Sequence, residues 1–381
     1  LWLVVLAARR FQLDREKAEQ TGDAGGNARP SRPLPHDSDL PPVTLLKPVH
    51  GMEPRLEESL ESFFQADYPQ FEIIFGARQP EDAAMQVVEK LRQRYPEVKV
   101  KVVHSGEPPC PNAKVYSLEK MVAAAAHDYF IISDSDVRVE PGYIREVVRP
   151  LRDPQNGMVT CVYRGVATGG VWARLEALGM SVEFASGVVT ADMLEGMHFA
   201  LGPTMAIRRD VLERVGGVAV LADYCADDYV LGSLTHQAGY KVVLSHHVID
   251  HIVLGRSASE SLSHQVRWMK STRYSRPKGH VGTGLTFATP YGLFGLAAGM
   301  LLGNPALGFG LLTWALVNRW ALALGVGVGV VRDRTLLRWF WLYPVRDLMG
   351  FLVWCASFAG SEILWRGERY RLLPGGKMVR G

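Results

Sequence analysis

The chain reads as an α/β domain, a mostly parallel sheet with helices on both faces, followed by a membrane-embedded region. Three observations predict this. Strand-like and helix-like patterns alternate between residues 43 and 132, an acidic pair follows directly on a buried apolar strand, and charge nearly vanishes over residues 281–318. With 381 residues, 48% hydrophobic and 21% charged, there is material for one large soluble domain plus membrane segments.

Residues 43–46 are strand-like, and Pro54 then opens a segment with Leu56, Leu60, Phe63 and Phe64 at helical spacing. Residues 71–75 form a second strand run, followed by Ala84, Val87, Val88 and Leu91 on one helical face. Val98, Val100 and Val102 alternate with Lys99 and Lys101 in a third strand. Val115, Leu118, Met121 and Val122 mark another helix, and residues 129–132 another buried strand. This βαβαβ order predicts parallel pairing, with a ligand bound at the carboxyl ends of the strands.

Residues 1–8 are apolar but too short to cross a bilayer, and read as the end of a truncated N-terminal transmembrane helix. Residues 9–42 are charged and rich in Gly, Pro and Ser, a linker composition, and the folded domain covers residues 43–280. Residues 281–365 form the membrane region. Spans of about 20 apolar residues fit at 284–303 and 306–331, on either side of Gly303-Asn304-Pro305, with Arg319 the lone interruption. A third apolar stretch, 339–360, carries Arg346 and Asp347 near its middle. Three full spans would put the two ends of the region on opposite sides. Yet the loop with Arg332, Arg334 and Arg338 and the basic tail 366–381 both read as cytoplasmic. Residues 339–360 are therefore expected to be re-entrant or interfacial, broken at Pro344, with Arg346 and Asp347 shielded by protein or water.

A formal charge of +3 and a pI near 8.6 give no basis for a nucleic-acid partner. Cys110, Cys161, Cys225 and Cys355 lack the spacing of a zinc site or a disulfide framework. His246, His247 and His251 cluster without matching acidic or cysteine ligand spacing and read as strand-edge packing.

Chemistry concentrates in three places. In Ser133-Asp134-Ser135-Asp136, after the buried strand, side chains two apart in an extended chain point to one side. Asp134 and Asp136 can thus converge on a hard cation, magnesium or manganese, bridging a diphosphate, although acidic pairs at strand ends are often solvated turns. Asp227-Asp228 supplies a carboxylate base for an acceptor hydroxyl, or else a solvent-facing helix start. His264-Gln265-Val266-Arg267-Trp268 lies on a helix opened by Ser257 and Glu260 in capping-box spacing. Arg267 can pair with a diphosphate and Trp268 can stack on an acceptor, while the run Arg267, Lys270, Arg273, Arg276 and Lys278 equally suits an interfacial anchor.

These pieces, in this order and ahead of apolar helices, resemble the ceramide glucosyltransferase family and its bacterial relatives, among them hopanoid-type glycosyltransferases, within the inverting GT-A group. The resemblance runs from Leu45-Leu46-Lys47-Pro48 and Phe63-Phe64-Gln65-Ala66-Asp67-Tyr68-Pro69 through Asn112-Ala113-Lys114 and Asp134-Ser135-Asp136-Val137-Arg138-Val139 to Trp365-Arg366-Gly367-Glu368-Arg369-Tyr370-Arg371-Leu372. It implies a GT-A catalytic domain with C-terminal transmembrane helices, a UDP-sugar donor (UDP-glucose foremost), a divalent metal, and a membrane-lipid acceptor. It also implies a multi-pass protein with its catalytic domain on the cytoplasmic face of a bacterial inner membrane.

By the same resemblance Asp82 sits where the family's first aspartate meets uracil or ribose, Lys114 at a donor-phosphate contact, Asp134 at the metal and Asp228 at the base. Residues 264–268 match the terminal (Q/R)xxRW motif, although His264 stands where relatives usually carry Gln or Arg. Asp136 completes a full D-x-D, as in the bacterial relatives. Other readings are N-acetylglucosaminyl transfer to a hopanoid or polyol lipid, a processive polysaccharide synthase, disfavoured by His264 and the few spans, and a non-catalytic module binding a nucleotide sugar or lipid. Sugar, lipid and oligomeric state are not encoded in any motif.

Overall fold

The computed structural model describes residues 1–21, 40–365 and 367–381. The chain divides into two compact units, residues 13–163 with 194–252, and residues 1–12 with 164–193 and 253–381.

The first unit is built on an eight-stranded sheet, and its strands are β1 (Val43–Pro48), β2 (Phe71–Ala77), β3 (Lys99–His104), β4 (Tyr129–Ile132), β5 (Val137–Arg138), β6 (Asn156–Ala167), β7 (Met205–Arg208) and β8 (Lys241–Val253), in the order β3-β2-β1-β4-β7-β6-β8-β5. The half read from the βαβαβ pattern is parallel: β1 pairs with β2 and β4, and β2 with β3. Beyond β4 the pairing turns antiparallel, β4 with β7, β7 with β6, and β5 with β8, so the sheet is mixed. The strands β1, β2 and β4 are buried along nearly their whole length, with Thr44, Lys47 and Glu72 buried among their apolar residues, whereas β3 exposes Lys99 and Lys101 at the sheet edge, where charge deters further pairing.

Helix Leu56–Phe64 buries Leu56, Leu60, Phe63 and Phe64, each of the larger side chains contributing about 1.5–3 kcal/mol by leaving water. Helix Ala113–Ala124 approaches β2 so closely that a Cβ at Gly76 would lie 2.4 Å from the Met121 sulfur. A side chain there would have to displace Met121 and Ser117, and this close seating against β2 holds the helix that carries Lys114 in its first turn.

In the second unit, helix Gly170–Leu178 runs through a π-helical turn, Gly179–Phe184, into helix Ala185–Glu195. Among the described residues, this 26-residue stretch and the 24-residue stretch Pro305–Val328 are long and apolar enough to cross a membrane. The second coincides with the predicted span at 306–331. The first escapes a reading by composition because Arg174, Glu176, Glu183 and Asp192 interrupt its apolar run. The predicted span at 284–303 falls on two helices, Pro277–Gly284 and Thr289–Leu301, which together are long and apolar enough to cross a membrane and are bent by 45°. The helices Thr289–Leu301 and Pro305–Leu322 meet through glycines: a Cβ at Gly299 would lie 2.6 Å from the Gly308 Cα, the close backbone approach typical of helices packed in lipid.

In the stretch 339–360, helix Tyr343–Ala356 has 14 residues, about 21 Å of rise against the roughly 30 Å of a hydrocarbon core. Pro344 lies in its first turn, where a missing N–H costs nothing, so it begins this helix and does not break it. Arg346 and Asp347 are buried and paired. Arg319 Nη1 lies 3.0 Å from Asp347 Oδ1, and Arg346 Nη2 lies 3.2 Å from Glu183 Oε2.

Two boundaries differ from the sequence reading. Helix Trp2–Thr21 runs from the apolar start straight through residues 9–21, which composition assigns to a linker. Its Arg, Gln, Glu, Lys and Ala residues are strong helix formers and Phe11, Arg15 and Ala18 are buried, while residues 22–39 of that linker lie outside the described residues. The basic tail is a small sheet: β9 (Glu362–Trp365), β10 (Glu368–Leu372) and β11 (Met378–Arg380) pair antiparallel, with Tyr370 and Leu372 buried between exposed arginines.

Candidate active site

The carboxyl ends of β1, β2, β3 and β4 lie along one edge of the sheet, because the strands are parallel with Pro48 opposite Gly76, Ala77 opposite His104 and Leu46 opposite Ile132. Each strand hands the chain to a polar residue of interest at that edge.

After β1 and β2, Asp82 ties two loops together. Its Oδ1 accepts from Gly51 N at 2.7 Å and Ala84 N at 3.0 Å, and its Oδ2 lies 3.0 Å from His50 Nδ1. Burial alone would raise this carboxyl, but those three donors outweigh it and hold it below the ordinary aspartate range.

After β3, Asn112 caps helix Ala113–Ala124 by accepting from Val115 N at 3.2 Å, and its amide donates to Tyr224 O at 2.8 Å. The first turn then aims Lys114 inward. Its Nζ lies 2.8 Å from Asp134 Oδ1 and 3.3 Å from Asp227 Oδ2. Burial opposes the charge, yet Asp134 and Asp227 more than offset it, so Lys114 stays protonated.

After β4, Ser133 N donates to Leu46 O at 3.1 Å and continues the β1–β4 ladder into the D-x-D loop. Asp136 is anchored through its backbone, which accepts from Ile252 N at 2.8 Å, and its Oδ1 is a buried acceptor with no hydrogen bond. The pairing of Val137 with His251 brings the imidazole Nε2 to 3.6 Å from Asp136 Oδ2. Sequence reasoning set His251 aside as packing. Its signal lies in the antiparallel pairing of β8 with β5, which no local spacing reveals.

Asp227 and Asp228 open helix Asp227–Gln237. This start is not solvent-facing, since Asp227 is buried. Asp228 Oδ2 accepts from Gly202 N at 2.8 Å and Oδ1 from Tyr229 N at 2.8 Å. A Cβ at Gly202 would lie 3.2 Å from Asp228 Oδ2 and 3.5 Å from Asp134 Oδ2, so the turn at Gly202 leaves room beside both carboxylates. Burial, reinforced by Asp227, pushes the Asp228 carboxyl up to about 6, with Lys114 and the two N–H donors pulling the other way.

The remaining predicted residues belong to the second unit. Helix Ala258–Ser275 starts with the expected capping box, Ser257 and Glu260 each satisfying the other's backbone N–H. On it His264 Nδ1 lies 2.9 Å from Glu176 Oε1, while Ser261 Oγ donates to Glu176 Oε2 at 2.6 Å. The Trp268 ring stands 4.2 Å from the imidazole, and the Arg267 guanidinium lies 5.9 Å from the Trp365 ring. Burial lowers the imidazole, and Glu176 only partly offsets this. The substitution at 264 thus comes with its own buried carboxylate partner, Glu176, which sequence reasoning does not single out.

The family model for glycosyl transferase family 21 matches residues 2–378. The chain belongs to this family. Among relatives of the family 21 glycosyltransferase, ceramide glucosyltransferase 1 of Caenorhabditis elegans is 26% identical over 353 residues, covering 90% of this chain and 74% of the relative. Ceramide glucosyltransferase 3 of the same organism is 25% identical over 61% of this chain and 51% of its own length. The ceramide glucosyltransferase of Komagataella phaffii is 36% identical over 132 residues, 33% of this chain and 26% of that relative. A solved mannosyltransferase from Pyrobaculum calidifontis, in complex with GDP-Man and Mn2+, shares the fold at a TM-score of 0.50 and 18% identity, over 92% of this chain and 99% of that one. The family 21 chain is therefore a glycosyltransferase of the ceramide glucosyltransferase family with a GT-A α/β domain.

Proposed function

We propose that the chain transfers a hexose, with UDP-glucose as the first donor, to a hydroxyl of a ceramide-like membrane lipid with inversion at the anomeric carbon. One arrangement carries the reading. Lys114 is held between Asp134 and Asp227, and Asp228 lies beside them with a raised carboxyl.

The residues fit a divalent metal. Asp136 Oδ1 is a buried acceptor left without a hydrogen bond, and His251 Nε2 stands 3.6 Å from the other oxygen of the same carboxylate. Among the described residues no three His, Cys, Asp or Glu side chains form a ready cage. A magnesium or manganese ion here would take one or two carboxylates and complete its shell with phosphate oxygens and water. Asp134, Asp136 and His251 would hold the ion, which when bound neutralises charge on the departing diphosphate.

The protein's own residues do the rest. Lys114 places a permanent ammonium at the carboxyl edge of the sheet, where it binds the donor's diphosphate. Asp82 orders the loop after β1 against the nucleoside. Asp228, aligned by Gly202 N and Tyr229 N, removes the proton from the attacking hydroxyl as the new glycosidic bond forms and the sugar's bond to UDP breaks. Arg267 and Trp268 serve the diphosphate and the acceptor respectively, as their motif implies. The apolar helices hold the protein in the membrane where such an acceptor resides, with Arg332, Arg334 and Arg338 keeping the catalytic domain on the cytoplasmic side.

The test is release of UDP from UDP-glucose and UDP-N-acetylglucosamine by the purified chain, with and without Mn2+ and ceramide, and mass spectrometry of lipids from cells expressing it. A new hexosylated lipid formed only with metal is the expected outcome. A chain that binds UDP-glucose yet releases no UDP under any combination is a binding module instead.

A further inference from the structure

Lys47 lies on β1, the strand between β2 and β4, and its side chain is fully buried, at 0% exposure. Lysine is almost never buried to this extent unless paired, because an uncompensated ammonium costs several kcal/mol. Its partners here are a hydroxyl, a peptide carbonyl and an aromatic face, with no carboxylate in ion-pair range among the described residues. The Nζ donates to Ser133 Oγ at 3.2 Å and to the backbone carbonyl of Asp134, and stands 3.7 Å from the centre of the Phe63 ring. A lysine kept for stability alone would gain most from a buried carboxylate.

The carbonyl it holds belongs to the peptide between Asp134 and Ser135, the pivot of the D-x-D. That peptide leads into the turn at Ser135-Asp136, so its orientation sets where the Asp136 carboxylate stands relative to Asp134. Ser133 is tied from two directions, by Leu46 O through its backbone N–H and by Lys47 through its hydroxyl. Its positive charge attracts both carboxylates, and together with Glu53 they only partly offset the burial that pulls the amino group down to about 7.

We propose that Lys47 is a positioning residue of the D-x-D loop, whose buried ammonium fixes the Asp134 peptide so that Asp134 and Asp136 are preorganised for a divalent metal and nucleoside diphosphate. The inference rests on the metal-and-diphosphate reading above. Geometry held in this way before binding is what lets a site spend its interactions on the ligand and not on ordering itself.

The experiment titrates Mn2+ into the full chain in detergent, with UDP present, and follows bound Mn2+ by electron paramagnetic resonance, alongside donor kinetics. In Lys47→Met, which keeps the apolar stem, Mn2+ affinity is expected to weaken and donor KM to rise by about tenfold, roughly 1.4 kcal/mol, with a smaller change in kcat. In Lys47→Ala, propylammonium restores Mn2+ binding and tetramethylammonium, which has no N–H, does not. A folded Lys47→Met that binds Mn2+ and UDP as the parent does overturns the proposal. Should neither lysine variant fold, Ser133→Ala decides, since it removes one acceptor of the ammonium: weaker Mn2+ binding supports the proposal and unchanged binding overturns it. If the parent chain itself binds no Mn2+ with UDP, the underlying metal reading fails, a result distinct from failure at Lys47 alone.

Discussion

The Lys114 ammonium lies 2.8 Å from Asp134 Oδ1, so a fixed cation touches the first carboxylate of the D-x-D. The same ammonium reaches Asp227 and lowers the Asp228 carboxyl, linking the proposed donor contact and the proposed base through one side chain.

Replacing Lys114 with Met removes that link. Donor KM should rise by about tenfold to a hundredfold, the value of a charge-assisted hydrogen bond. The acid limb of the pH profile should also move upward, because a cation opposing protonation of Asp228 is gone. Steady-state kinetics with UDP-glucose across pH reads both effects together, and a KM change with a stationary acid limb would separate Lys114 from the base.

As the proposed base, Asp228 sets the pH dependence itself. Its carboxyl is raised to about 6 by burial and by Asp227, and the base works only when deprotonated. Activity is therefore full above that pH and falls about tenfold per unit below it. Asp228→Asn should lower kcat by about a hundredfold to ten-thousandfold with little change in donor KM, because the base acts in the transition state. An acid limb that persists unaltered in the residual activity of Asp228→Asn would assign it to another group.

Much of this site is legible in the sequence, and the reason is local. Asp134, Asp136 and Lys114 each follow a strand or open a helix whose own apolar pattern marks it, so the βαβαβ order alone puts them at one edge of the parallel half. What is illegible depends on pairing between distant segments. His251 reaches Asp136 only because β8 pairs with the two-residue strand β5, and Lys47 looks like an ordinary lysine until β4 is laid beside β1. The apolar helix through residues 170–195 is hidden for a related reason. Its charges Glu176 and Glu183 find His264, Ser261 and Arg346 as partners, and no window of sequence shows that they are satisfied.

Gly202 tests how tightly the two carboxylates are set. A methyl there would lie 3.2 Å from Asp228 Oδ2, which accepts from Gly202 N while Oδ1 accepts from Tyr229 N, so the carboxylate can yield only by losing alignment. Gly202→Ala should leave the far-ultraviolet circular dichroism unchanged while kcat/KM falls about tenfold or more, the scale of a displaced catalytic group. Wild-type activity in this variant would show that the Asp228 oxygen facing Gly202 is not the one that meets substrate.

The buried charges of the second unit make a prediction about stability. Asp347 is 1% exposed and serves three donors, with Oδ1 at 3.0 Å from Arg319 Nη1 and Oδ2 accepting from Ala288 N at 3.0 Å and Thr289 N at 2.7 Å. It thereby neutralises a buried guanidinium and closes the N-terminus of helix Thr289–Leu301. Asp347→Ala strands both, and breaking a buried pair from one side costs about 3–5 kcal/mol. Arg319→Met together with Asp347→Ala should recover part of that loss, because no buried charge then lacks a partner, but not all, since the two N–H groups remain uncapped. Thermal unfolding of the four proteins in one detergent measures the coupling. Additive losses would mean that Arg319 is compensated elsewhere, and full recovery in the double variant would mean that the helix N-terminus does not depend on Asp347.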